Sequence, residues 1–229
     1  MKLKALLTAS ALLAGTAQAQ DLTIQVTNLT QGIYFTPIIA AAHTGDQHIF
    51  QVGQAASDAL QALAEGGSIA GVAESLASAN TLQDPAGGLL APAASTSADL
   101  MTDDSNMYLS VAAMMLPTND GFIGLDAWKI PTEAGTYTIY LNAYDAGTEA
   151  NNELILEGSG APGVLGIPAA PGDGEGVNGS GVTTEEANQT VHIHRGALGD
   201  DNSTGGTSDL NNTVHRWLNP VAKVTVTVK

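Results

Sequence analysis

Residues 21–28 alternate Leu22, Ile24 and Val26 with Thr23, Gln25 and Thr27, a period of two that predicts a half-buried strand. Residues 221–228 alternate just as strictly and predict a terminal strand. Residues 107–116 form an apolar run closed by Pro117, and residues 136–144 interleave tyrosines with aliphatics, so both read as central strands. A further extended segment spans 32–42, where Pro37 argues for an edge or bulged strand, and residues 190–195 return as a short one. Over 57–80 the spacing turns helical: Leu60 and Leu63, then Val72, Ala73 and Leu76, with Gly66-Gly67 between them, predict two short helices. Residues 118–121 have turn composition, and Trp128 is expected to anchor the connection between the central strands. Residues 81–100, 157–186 and 199–212 are rich in Gly, Pro, Ala, Ser or Asx residues and read as surface connections. The 157–186 stretch is an excursion and not a linker, because the chain beyond it is too short to build a core of its own. Short strands separated by turn clusters predict a mainly β fold, an antiparallel β-sandwich with a short helical insertion.

Ahead of the first strand, Lys2 and Lys4 precede an apolar run over 5–14 and then Ala17-Gln18-Ala19, the layout of a secretory signal peptide cleaved after Ala19. The run is too short to span a bilayer, and no second one of membrane length comes after it. The expectation is an exported protein, periplasmic, cell-surface or extracellular, with residues 20–229 as a single domain. The 229-residue chain carries 7 basic and 23 acidic residues, a formal charge of -16. That balance excludes nucleic acid and anionic membrane surfaces as partners, since their phosphates would repel it. There is no cysteine, hence no disulfide framework, thiolate nucleophile or Cys-ligated metal.

The common enzyme signatures are missing: no His-Glu-x-x-His, no Gly-x-Ser-x-Gly, no phosphate-binding loop and no dinucleotide fingerprint. The acids carry more information. Asp120 falls in the turn after one central strand, and Asp145 and Glu149 fall at the end of the other, in Tyr144-Asp145-Ala146-Gly147-Thr148-Glu149. Carboxylates, a hydroxyl and carbonyls gathered there suit the hard-oxygen shell of calcium, with solvated loop acids as the competing reading. The loop over 200–205 begins like an EF-hand, but Asn211 stands where the bidentate Glu belongs, so an Asx-rich turn is expected. His192, His194 and His215 could form a copper or zinc site. Arg195 and Arg216 beside them argue against it, and these arginines are expected instead to bind carboxylates, among them Asp200, Asp201 or Asp209, or loop carbonyls.

Four segments together resemble the spondin domain, the module found in F-spondin, in mindin and in secreted bacterial proteins. The first runs from Ser110 through Asn119-Asp120-Gly121-Phe122 to Gly124, and the second is the Asp145 to Glu149 motif. The third is His192-Ile193-His194-Arg195-Gly196, and the fourth runs from His215-Arg216-Trp217 through Asn219-Pro220-Val221-Ala222-Lys223 to Val226. The resemblance extends over essentially the whole chain after the signal. It implies a β-sandwich similar to C2 domains and a Ca2+ ion held at one end by Asp120, Asp145 and Glu149, with carbonyls near Lys129 and Ile130 as candidates to complete the shell. It also implies a secreted adhesion or surface-interaction module without catalytic activity, whose partner is an extracellular protein or surface glycan. A metal-dependent enzyme or copper/zinc protein built on His192, His194 and His215 is the alternative.

Overall fold

The computed structural model describes residues 19–172 and 176–229; the expected signal peptide, but for Ala19, lies outside them. The strands are β1 (Asp21–Asn28), β2 (Tyr34–Phe35), β3 (Ile39–His43), β4 (Asn80–Gln83), β5 (Ser95–Met101), β6 (Tyr108–Leu116), β7 (Gly121–Lys129), β8 (Gly135–Asp145), β9 (His192–Ile193) and β10 (Ala222–Val228). Two helices, α1 (Asp58–Gly66) and α2 (Ala70–Ser75), lie between β3 and β4. All the strand pairings are antiparallel, in the order β4-β3-β6-β7-β8-β10-β1-β5, with β2 on β6 and β9 on β8.

This path folds into two facing layers because β8 serves both. Its first part pairs with β10, from Gly135 opposite Val228 to Leu141 opposite Ala222, and its last residues pair with β7, from Asn142 opposite Gly124 to Asp145 opposite Gly121. Between the layers lies the main core. Leu22, Ile24 and Val26 of β1 and Val224, Val226 and Val228 of β10 meet Leu109, Val111, Ala113 and Met115 of β6 and Ile123 of β7. The period of two in β1 and β10 is the sequence trace of a layer wet on its outer face.

The second layer is dry on both faces. Its outer side carries Ile39, Ala41, Ala112 and Phe122, covered by Leu60, Leu63 and Ala64 of α1 and Val72 of α2. That is why β6 reads as a continuous apolar run and not an alternating one. Ser57 caps α1, its Oγ accepting from the Leu60 N–H at 3.2 Å, and Gly67 ends it at φ 72° with its N–H on the Leu63 carbonyl. Ser57→Ala is expected to cost about 1 kcal/mol in chemical denaturation, with the midpoint lowered and the slope unchanged.

Several expectations need correction. Residues 81–100 are not wholly a connection, since they contain most of β4 and nearly all of β5; β5 was hidden because only Leu100 of its seven residues is buried. The connection after residue 121 is the nine-residue strand β7, in which Trp128 packs on the main core. Of the two readings of Pro37, the edge fails, since β3 is an interior strand between β4 and β6, and the bulge holds, since β2 and β3 both pair with β6 with three residues, 36–38, opposite two, 113–114. Residues 190–195 yield only the two-residue β9. The excursion after β8 is tied down by its own small cluster, Ile155, Ile167, Ala197 and Leu210, with Trp217 against it.

Candidate functional site: an acidic rim

Antiparallel pairing sets the site. Asp120 closes the turn between β6 and β7, where Thr118 Oγ1 donates to the Met115 carbonyl at 2.6 Å and accepts from the Gly121 N–H at 3.0 Å. Asp145 ends β8 opposite Gly121, so the turn and the segment after Asp145 lie side by side. The Ala146 N–H reaches the Asp120 carbonyl at 3.2 Å. Asp120 Oδ2 then accepts the N–H groups of Thr148 at 2.8 Å and Glu149 at 3.2 Å. Gly147 allows this turn: its φ is 71°, and a Cβ there would stand 2.7 Å from the Thr190 nitrogen.

Asp120, Asp145 and Glu149 are thus brought to one rim, and all three are buried. Asp145 is half satisfied by neighbours, accepting from the Gly147 N–H at 2.8 Å and from the Asn151 amide at 2.7 Å. Glu149 Oε2 accepts from the Asn119 amide at 3.2 Å and the Gly166 N–H at 3.1 Å. Asp120 Oδ1 and Glu149 Oε1, by contrast, are buried without a hydrogen-bond partner among the described residues. Buried carboxylate oxygens ordinarily have partners, and an unmatched one marks a place for a proton, a water or an ion.

The charge balance points the same way. Burial, reinforced by the Asp145 charge, pushes Asp120 up to about 7, and burial with the Glu65 and Asp120 charges pushes Glu149 up to about 7. Burial raises Asp145 too, against the lowering effect of Asn151 and His192. The rim is short of positive charge. Two further acids adjoin it that sequence reading did not select. Glu65 of α1, fully buried, takes the Gly163 N–H at 2.6 Å and repels Glu149, and Glu186 shares the Asn151 amide with Asp145. No local signal marks either, since their place depends on how the helix and the excursion pack.

Other expected sites fall out differently. Lys129 and Ile130 lie at the far end of β7, about 26 Å along the strand from Gly121, so their carbonyls do not serve this rim. The three histidines each have a backbone partner at Nδ1: His192 meets the Thr190 carbonyl, and His194 and His215 accept the N–H groups of Gly196 and Asn211. His194 is enclosed against Trp217, ring centroids 5.1 Å apart, and burial pushes it down to about 3, a neutral core histidine. Among the described residues no group of three or more His, Asp or Glu side chains is arranged as a ready metal site. Arg195 donates to the Asn151 carbonyl at 2.9 Å, not to Asp200, Asp201 or Asp209. Asp209 instead accepts the N–H groups of Ile155, Val177 and Gly179, and Asp200 those of Asn202, Thr207 and Ser208, the Asx-type loop that composition suggests.

One pair looks catalytic and is not exposed as such. Ser110 Oγ stands 2.7 Å from His43 Nε2, but both residues are fully buried and the same oxygen accepts the Ala127 N–H at 2.8 Å. Ala127 has φ 47° at the irregularity where β7 shifts register against β6, so the pair fastens a β-bulge.

Among the described residues no helix is long and apolar enough to cross a membrane. Comparison with curated proteins gives no match. The Spondin_N family model matches residues 26–153, more than half of the chain, and so takes in the end of β1, all of β2 to β8, and Asp120, Asp145 and Glu149. The His192 and His215 segments lie beyond the matched span, yet β10 sits between β1 and β8 in the first layer. With the rim and both layers inside or completing that span, the chain belongs to the spondin N-terminal domain family.

Proposed function

We propose that this chain is an exported, calcium-binding interaction module without catalytic activity, acting in the periplasm, at the cell surface or in the medium on an extracellular protein or surface glycan. Spondin N-terminal domains are extracellular modules by kind, which supports the setting. The observation that carries the cation is the pair of buried carboxylate oxygens, Asp120 Oδ1 and Glu149 Oε1, left without partners where two distant turns meet. These residues fit a hard ion in their donor chemistry, oxygen only, and in the negative charge held at low dielectric. Calcium, when bound, supplies the positive charge the rim lacks and accepts water and carbonyl oxygens for the rest of its shell. Asp120 would hold the 145–149 segment through the Thr148 and Glu149 N–H groups while offering its other oxygen to the ion. Glu149 would do the same for the excursion through Gly166. The ion would therefore set the loops at this end and leave the sheets alone.

The experiment is thermal melting in calcium and in chelator. Calcium is expected to raise the melting temperature of the wild type and to lose that effect in Asp145→Ala. A wild type indifferent to calcium, or an undiminished shift in the variant, removes the proposal.

A further inference from the structure

β7 and β8 part company after the pair Gly124–Asn142: β8 turns to β10, and β7 continues on β6 alone. The splay opens a groove of about 400 Å3, within the size range of small-molecule sites, which run from about 300 to 1,000 Å3. Its β8 wall runs from Tyr140 to Tyr144, which adjoins Asp145 in sequence, but successive side chains of a strand point to opposite faces, so the groove and the Asp145 carboxylate lie on different faces of β8.

Its lining has a definite chemistry. Tyr140, Asn142 and Tyr144 project from the same side of β8, two residues apart. Tyr140 is 61% exposed, while Tyr144 is backed by Phe50 and Phe122, with ring centroids 4.8 and 5.7 Å away. The floor is Gly124, where a Cβ would stand 2.5 Å from the Phe50 ring, so only glycine lets that ring close down on the strand. The Asn142 and Gln51 amides and the hydroxyls of Tyr140 and Tyr144 make no hydrogen bond among the described residues. Asp126 on the opposite wall is fixed, accepting the Ile49 N–H at 3.1 Å and meeting His48 Nδ1 at 2.6 Å, with lone pairs left over. The Ser110–His43 pair fastens the bulge beside it and so helps aim Asp126 into the groove.

We propose that this groove binds an uncharged saccharide. An exposed aromatic face takes the apolar C–H side of a pyranose, and planar amides and a fixed carboxylate accept and donate to its vicinal hydroxyls. The charges favour a neutral ligand. Among the described residues neither lysine nor arginine lines the groove, Asp126 is already engaged by the Ile49 N–H and His48, and the chain as a whole carries -16 and repels anionic polymers. The proposal rests on the reading of the chain as an extracellular interaction module, but not on its calcium.

The test is a glycan array of neutral oligosaccharides, namely β-glucan, mannan, galactan and chitin hexamers, followed by calorimetric titration of the strongest binder in calcium and again in chelator. Binding is expected in both, with affinity reduced at least about tenfold in Tyr140→Ala and in Asn142→Ala and unchanged in Leu218→Ala, a control at an exposed site. Melting curves of the variants confirm that they fold. The proposal is overturned if no neutral hexamer binds at millimolar concentration, if both groove variants bind as wild type does, or if binding vanishes in chelator, which would move the sugar to the rim. It is equally overturned if an extended-peptide array binds, Tyr140→Ala abolishes that binding, and no sugar competes. Failure here leaves calcium-dependent melting untouched, so the two readings stand or fall separately.

Discussion

Asp120→Asn is expected to make the chelated protein more stable than wild type at pH 7.5 and to abolish its response to calcium. The amide keeps an oxygen for the Thr148 and Glu149 N–H groups and puts a donor where Oδ1 has no partner. It also removes one charge from a site where burial and Asp145 hold the carboxyl up to about 7. Full displacement of one such carboxyl from 3.8 to about 7 corresponds to about 4 kcal/mol. Because Asp145 and Glu149 share the same unfavourable field, about 2 kcal/mol is the expected gain, a rise of about 4–8 °C for a chain of this size.

The pH dependence has a fixed sign. A carboxyl raised in the folded state binds more protons folded than unfolded between 3.8 and about 7, so the apo protein is favoured by this group below 3.8 and loses that advantage as pH rises towards 7. Chelated wild type should therefore melt at falling temperature as pH rises from about 4 to about 7.5, and calcium at a hundredfold excess over Kd should restore about 2.7 kcal/mol at the upper end and so flatten the curve. An Asp120→Asn protein that is less stable in chelator, or still stabilised by calcium, contradicts the account.

Glu153→Ala is expected to cost about 4 kcal/mol and to loosen residues 197–210 before the sheets. Its carboxylate is buried and accepts the Leu198 N–H at 2.6 Å, the Gly199 N–H at 2.8 Å and the Ser208 hydroxyl at 2.6 Å. Its main chain adds the Asp209 N–H on its carbonyl and its own N–H on the Asn119 side chain. Truncation leaves three donors without their acceptor, and hydrogen bonds to a charged group contribute about 1.5–3 kcal/mol each. The loss should lower the melting temperature by about 8–16 °C. Amide exchange should accelerate at Leu198 and Gly199, and Trp217, packed on that loop's cluster, should shift its emission to the red. Glu153→Gln, which retains acceptors, should recover part of the loss. An unchanged melting temperature with protected Leu198 and Gly199 amides would refute the assignment.

How far the sequence spoke depended on which faces of each element are wet. β1 and β10 have one dry side, so Leu22, Ile24 and Val26 and Val224, Val226 and Val228 announce them. β7 does not announce itself, because Gly121 and Gly124 are dictated by Thr118 and Phe50 pressing on the backbone, and Ala127 by the bulge. β5 has a polar alternation whose meaning appears only once β1 is beside it. At the rim, Asp120 was legible because it lies in the turn after a recognisable strand, Asp145 because it ends one, and Glu149 because it shares the Asp145 motif. Glu65 and Gly166 were not, since they arrive there through packing across many residues of intervening chain. Of the two kinds of partner expected for the arginines, carboxylates and loop carbonyls, Arg195 takes a carbonyl, that of Asn151.

β10 stands between β1 and β8, and these two have no direct pairing with each other. β10 is therefore the keystone of the first layer. Without residues 222–228, β1 with β5 and β8 with β7 are two separate flaps, each with an open seam. The layer closes only when that one strand is in place.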